Sequence, residues 1–283
     1  MTTLPAEPSS TAEPRSTAEP RITAEPRITV ERDGHVLLIG FNRADKRNAA
    51  DFQLLKELSA AYTLLENDDE VRVGFVFAHG EHFTGGLDLA DVGPRIGADG
   101  LDISADGGIN PWQVAGQQLS KPVVIAVQGT CLTLGVELIL ACDIAIAAES
   151  TTFGQIEVAR GILPFGGATI RFPRAVGWGN AMRYILTGDT FGAAEAHRIG
   201  LVQEVVPDGT QYSRGLELAQ RIAAQAPLAV QAALANARLA VRAGDEAAEN
   251  ALQPELVRLA ASEDAAIGMR AFMTRTPAQF VGR

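Results

Sequence analysis

Only two cysteines occur in the chain, Cys131 and Cys142, both in apolar surroundings and at a spacing that suits neither a zinc site nor a redox pair. They read as small buried residues of a cytosolic protein. The four histidines, His35, His79, His82 and His197, lack zinc-ligand spacing, with only His79 and His82 close together, and read as surface or turn residues. No run of about 18 uncharged apolar residues exists, so no membrane span is expected. The N-terminus has no basic region followed by an apolar one, which argues against a secretory signal. A Gly-x-Ser-x-Gly elbow is missing, which disfavours a serine hydrolase. Lysine is confined to Lys46, Lys56 and Lys121, and the net charge is -10. Such a surface argues against general binding to nucleic acid or anionic membranes, while leaving room for a local basic site for a phosphorylated small ligand.

What is present is a large apolar reserve: 47% of the 283 residues are hydrophobic and 20% charged, enough for a sizeable core. Residues 1–26 stand apart. Thr-Ala-Glu-Pro recurs at 11–14, 17–20 and 23–26, with proline too frequent for helix or sheet and little to bury, so a disordered tail is expected. From Ile28 the pattern becomes ordered. ITVERDGHVLLIGF predicts two strands joined at Asp33-Gly34. A helix is predicted from about 49 to 65, where Phe52, Leu55, Leu58, Tyr62 and Leu65 recur at spacings of three and four. Val71 to Ala78 predicts a buried strand, and Asp88 is placed to cap a short helix behind it. Residues 93–111, rich in Gly, Asp and Pro, predict a mobile loop. Strands are predicted at 123–127, 144–148 and 201–206. Helices are predicted near 168–176, 179–187, 193–200, 210–225, 228–243 and 245–262, with a further helical start at 263. The succession defines an α/β chain with a helical C-terminal part.

The chain is organised around GTCLTLGVELILACDIAIAAESTTFGQIE, residues 129–157. A short helix is predicted from Gly135 to near Cys142, and it carries one acid, Glu137, among Val136, Leu138, Ile139 and Leu140. A carboxylate there must be paired, hydrogen-bonded or protonated. A second acid, Glu157, sits between Ile156 and Val158. Two structural acids, each tied to an arginine or a backbone amide, would give this pattern. So would a facing pair of carboxylates over a dry pocket, suited to proton transfer at carbon. Two turns, 85–88 and 132–135, each follow a buried strand and open a helix, where backbone N–H groups lack internal partners; two such starts aimed at one point would form an oxyanion hole.

Four segments in order resemble the crotonase, or enoyl-CoA hydratase, superfamily. FNRADKRNAA is similar to its Leu-Asn-Arg-Pro-x-x-x-Asn-Ala-Leu segment and HFTGGLDL to its Phe-x-x-Gly-x-Asp segment. VQGTCLTLGVELILACD and FGQIEVARGILPFGGAT resemble the segments that carry its two glutamates, and IGMRAFMTRTPAQF resembles its closing helix. The resemblance spans roughly residues 28–280. It implies a spiral of β-β-α units over 27–205 and a helical trimerisation region over 206–283, with trimers often paired into hexamers. It also implies an acyl-CoA substrate and no metal or redox cofactor. By the same resemblance, Leu87 and Leu134 supply the oxyanion N–H groups, Glu137 and Glu157 the proton transfers, and Lys46, Arg47 and Gly85 the CoA-contacting turns. Because both hydratase glutamates are matched, the implied reaction is addition of water to a 2-enoyl-CoA; an isomerase or acyl-CoA hydrolase of the same superfamily, or a noncatalytic scaffold, are the alternatives. The chain departs from the family at Thr133-Leu134-Gly135, where Gly-Gly-Gly is frequent, and at Leu87, usually Ala or Gly. Ala44 stands where the family has Pro. The loop 93–111 has no counterpart in the resemblance; it is expected to line the acyl pocket, with Ile109 and Trp112 as its apolar contacts.

Overall fold

The structure, a computed structural model, describes residues 25–97, 100–101, 103–104 and 107–283. The tail expected over residues 1–26 therefore lies almost wholly outside the described residues, as do five positions of the 93–111 loop.

Among the described residues, nine strands form two sheets. β1 (Ile28–Asp33) and β2 (Val36–Phe41) make an antiparallel hairpin whose two loop residues are Gly34 and His35, one position later than the sequence suggests. Gly34 takes φ 57, as a two-residue hairpin turn demands. β3 (Val73–Ala78), β4 (Val123–Val127), β6 (Ile144–Ala148) and β9 (Glu204–Val206) then add in parallel, giving the order β1-β2-β3-β4-β6-β9. β2 and β4 are buried at every residue, which explains why VLLIGF and VVIAV read as continuous apolar runs rather than alternating ones. The second sheet consists of β5 (Thr130–Leu132), β7 (Thr152–Gly154) and β8 (Thr190–Gly192). β4 and β5, and again β6 and β7, place successive strands in different sheets, so the chain advances as a spiral of β-β-α units, the crotonase-like α/β architecture. These three-residue strands are too short for periodicity to reveal.

α1 (Phe52–Asn67) starts where Asp51 accepts a hydrogen bond from the Leu54 N–H at 2.9 Å, and it packs Leu54, Leu55, Leu58, Tyr62 and Leu65 into the main core. α2 (Leu89–Val92) and α3 (Leu134–Ala141) both begin at the turns singled out above. Then follow α4 (Ala168–Val176), α5 (Trp178–Thr187), α6 (Ala193–Ile199) and α7 (Gln211–Ala223). α7 covers the other face of the large sheet, burying Ala219 and Ala223 against Phe75, Val124 and Ala126. α8 (Pro227–Ala243), α9 (Asp245–Ala260) and α10 (Glu263–Thr274) complete the chain. The C-terminus is tied back: Asp264 accepts from the Val281 and Gly282 N–H groups, and Arg72 donates to the Phe280 carbonyl. No helix among the described residues is long and apolar enough to cross a membrane.

Candidate active site

The two turns meet. Ala50 donates to the Gly86 carbonyl and accepts from the Asp88 N–H, a one-residue parallel bridge that directs the Leu87 N–H to the opposite side. A second bridge, Thr84 to Cys131, lays the 84–87 strand beside β5, and the Leu132 N–H donates to the Thr84 carbonyl. Buried Thr84 completes the turn: its hydroxyl donates to the Asn48 carbonyl and accepts the Gly86 N–H. Gly86 has φ 101, and a Cβ there would stand 2.5 Å from Thr133 Oγ1, so only glycine lets the two turns touch.

Thr133 is the strained residue of the pair. It has φ 50 and ψ -113, a region normally left to glycine, and costs of order 1–3 kcal/mol to hold there. Its hydroxyl is buried without a hydrogen-bond partner among the described residues. The Thr133 N–H donates to the Gly154 carbonyl on β7, which over-determines the conformation from outside. The Leu134 N–H that follows opens α3. Neither it nor the Leu87 N–H has an acceptor among the described residues. Two uncommitted donors on abutting turns are what an oxyanion needs.

Glu137 lies in the first turn of α3 and is 3% exposed; Glu157 opens a 3₁₀ turn, Glu157–Arg160, and is 5% exposed. Neither carboxylate has a Lys, Arg or His within ion-pair distance among the described residues; of the two ties a structural acid could have, an arginine or a backbone amide, Glu137 has the amide. Glu137 Oε1 accepts from the Ala168 N–H at 3.1 Å, at the start of α4. Burial pushes the Glu137 pKa up, against the pull of the 166–168 N–H groups and of Arg171. Glu157 is pushed up to about 7, first by burial and further by the charge of Glu137, while its own N–H opposes the rise. Buried Gln155, its amide oriented to donate, lies 2.9 and 3.0 Å from the two Glu157 oxygens and holds the group in place.

Gly166 seals the far side of Glu137. A Cβ there would come within 2.6 Å of Glu137 Oε2 and 2.9 Å of Trp112 Cδ1. Gly166→Ala is expected to displace the carboxylate and lower kcat about 10²-fold, the cost of a misplacement near 1 Å, with KM little changed. Steady-state kinetics alongside a thermal melt checks this; an unaltered kcat would show that Glu137 need not sit where it does.

The remaining residues expected from the sequence fall around this centre. Lys46 and Arg47 are exposed, and Gly85 is joined to Arg47 by a hydrogen bond from its N–H to the Arg47 carbonyl. That bond brings the basic turn to the edge of the oxyanion turn. Asp88 is not the side-chain cap expected of it: its carboxylate accepts from Arg43 at 2.8 Å, which holds its pKa below the usual carboxylate range. The reason is competition, since a guanidinium outbids a neutral N–H for a carboxylate. Ile109 and Trp112 belong to the core, and Trp112 Nε1 donates to the Leu134 carbonyl at 2.9 Å, one peptide from the candidate donor. Ser59 and Thr63 anchor Ile109 to α1, so the end of the 93–111 loop is fixed by hydrogen bonds. Thr84, Gly86, Thr133, Gln155 and Gly166 were not singled out individually by sequence reasoning. The Gly-Gly pairs at 85–86 and 166–167 were a visible signal of close approach, and the signal for strain at Thr133 was its place in a run where the family often has glycine.

Two buried acids without counter-ions among the described residues, and two N–H groups without acceptors at strand-to-helix turns, make up the candidate site. The sequence profile described as Enoyl-CoA hydratase/isomerase matches residues 31–283, and the chain belongs to that family. It is 33% identical over 258 residues to enoyl-CoA hydratase EchA19 of Mycobacterium tuberculosis, covering 90% of this chain and 96% of that protein. It is 36% identical over 203 residues to the short-chain-enoyl-CoA hydratase of Clostridium acetobutylicum, covering 71% of this chain and 77% of that protein. The crystal structure of a probable enoyl-CoA hydratase/isomerase from Mycobacterium abscessus superposes with a TM-score of 0.88 at 57% identity, covering 91% of this chain and 99% of that one. The protein is an enoyl-CoA hydratase-like lyase acting on 2-enoyl-CoA thioesters.

Proposed function

We propose that hydration proceeds through Glu137, Glu157 and the Leu87 and Leu134 N–H groups. The observation that supports this most is the pair of buried carboxylates with raised pKa values and no counter-ion. Water attacks C3 of the enoyl thioester and charge moves to the thioester oxygen as an enolate. The two N–H groups receive that charge, each such donor being worth roughly 3–4 kcal/mol of barrier. Glu137, ionised, binds the water and takes its proton as the C3–O bond forms. Glu157, protonated, delivers a proton to C2, giving the 3-hydroxyacyl-CoA. Coenzyme A enters as part of the substrate, and no other cofactor takes part in this scheme. The 93–111 loop, through Ile109 and Trp112, lines the acyl pocket.

The acid role of Glu157 implies a pH dependence. With its folded-state pKa pushed up to about 7, kcat/KM falls as pH rises above that value. Stability follows the same sign: a raised carboxyl pKa favours the fold most below the ordinary carboxyl value, and that advantage is lost as pH climbs through about 7. Glu157→Gln, which cannot ionise, should therefore gain in Tm relative to the parent between pH about 5 and pH about 8. A Tm difference that does not change with pH would place the Glu157 pKa back in the ordinary range.

Lys46 and Arg47 contact the CoA phosphates from their exposed turn, by charge-assisted hydrogen bonds that strengthen binding more than chemistry. Replacing both by Ala should raise KM for the CoA ester at low ionic strength with little change in kcat. If KM stays put, the phosphates bind elsewhere. Exposed Trp178, Leu186, Leu256, Val257, Phe272 and Met273 support assembly into homotrimers or hexamers through the C-terminal helices and α5. The two free cysteines, Cys131 buried and Cys142 half-buried, with thiols that burial holds in the protonated form, support a cytoplasmic location.

A further inference from the structure

A cleft of about 900 Å³ is lined by none of the four candidate site residues. It opens between the last turn of α3, residues 139–142, α4, α8 and the segment that follows Trp112. Glu137, Glu157, Leu87 and Leu134 do not line it: Glu137 sits at the opposite end of α3. Four arginines line the cleft, Arg171 and Arg174 from α4 and Arg238 and Arg242 from α8, against a single acid, Asp143. In a chain of net charge -10 this local excess of three positive charges stands out.

Most of these guanidinium groups are held in place by neutral acceptors, which fix them without cancelling their charge. Arg171 donates to the Trp112 carbonyl at 2.6 Å and to the Gln113 carbonyl at 2.8 Å. Arg238 donates to the Leu119 carbonyl and to Asp143 at 3.0 Å, and Arg242 donates to Gln118 Oε1 at 2.5 Å. Arg174 has neither a hydrogen bond nor an ion pair among the described residues. Half-buried Arg171 bears the cost: burial lowers its pKa, and the charges of Arg242, Arg238 and Arg174 press it the same way, against the opposing charge of Glu137. Arg238 and Arg242, one helical turn apart, repel each other as like charges at that spacing do.

We propose that this cleft binds a small polyanion carrying at least two phosphoryl or carboxylate groups. Planar guanidinium groups take either group in a two-pronged hydrogen bond, and the three already propped on carbonyl or amide oxygens, Arg171, Arg238 and Arg242, lose little freedom on binding. The volume exceeds that of a single phosphate and falls in the range of ordinary small-ligand sites. An anion bridging α4 and α8 would relieve the mutual repulsion of the four arginines. None of these arginines takes a step in the catalytic scheme above, although the Arg171 charge is felt at Glu137, so the proposal stands or falls separately.

Calorimetric titration of the full chain at low salt with inorganic pyrophosphate, and separately with citrate, tests the assignment and tells phosphoryl from carboxylate ligands. At least one of the two should bind. Arg174→Gln with Arg242→Gln, both exposed side chains with no carboxylate partner, should weaken that binding tenfold or more and leave hydratase activity and Tm unchanged. Replacing Lys46 and Arg47 by Ala should not change it, and saturating acyl-CoA should not displace the anion. Failure of both anions to bind overturns the proposal. So does affinity unaffected by the arginine substitutions, or binding abolished by the Lys46 and Arg47 replacements, which would put the anion on the CoA turn.

Discussion

Glu137→Gln and Glu157→Gln are each expected to lower kcat for enoyl-CoA hydration by about 10²–10⁴-fold, the range general acid–base groups contribute. Glutamine keeps the shape and the hydrogen-bonding reach of the side chain and removes only its ability to exchange a proton. At Glu137 the change should be well tolerated, because the amide oxygen can still accept from the Ala168 N–H. Acyl-CoA binding should persist in both variants, since the oxyanion donors belong to the main chain and Lys46 and Arg47 are untouched. Combining the two substitutions should cost little more than either alone, because two groups that act on one water are not additive. Following loss of enoyl absorbance across a panel of chain lengths, with binding measured separately, distinguishes the outcomes. Inactivity of the Glu157 variant alone would favour double-bond isomerisation. Parent rates in both would return the two acids to a structural role.

The second large effect concerns a donor that no side-chain substitution can remove. Proline at position 134 deletes its N–H. The first position of a helix tolerates proline, because the N–H there has no partner within the helix and the fixed φ suits it. Thr133 complicates the change, since proline also restricts the residue before it. The comparison is therefore Thr133→Gly with Leu134→Pro against Thr133→Gly alone, the glycine accepting the positive φ that threonine holds under strain. The proline variant is expected to lose 10²–10³-fold in kcat, the cost of one oxyanion donor, while α3 and the thermal transition survive. An unchanged kcat in a folded protein would mean that the thioester oxygen is held by other groups.

Much of the architecture could be read before any coordinates. α4 runs from Ala168 to Val176 as the periodicity predicts, and β4 and β6 match their apolar runs residue for residue. The long amphipathic helices α1 and α7 to α9 begin and end within a few residues of expectation, because each has enough turns for its apolar spacing to register. The small sheet was not legible. β5, β7 and β8 have three residues each, and what makes them strands is the partner across the ladder, Thr130 against Thr152 and Thr152 against Gly192. Asp88 has a capping position but a guanidinium within reach, and only the fold brings Arg43 to it.

The glutamates show where the division falls. Residue type and neighbours alone determined that Glu137 and Glu157 are acids in apolar company, which makes an ordinary solvated role costly for either. They could not determine what each carboxylate would meet. The tertiary structure decided that no cation among the described residues lies within ion-pair distance of them, that Glu137 raises the pKa of Glu157, and that Gly166 stands where any side chain would push Glu137 aside. It also decided the aim of the Leu87 and Leu134 N–H groups, through the contact of Gly86 with Thr133. Local sequence sets which conformations and charges are affordable within a few residues; the approach of segments some fifty residues apart, and the field each feels from the other, exists only once both are packed.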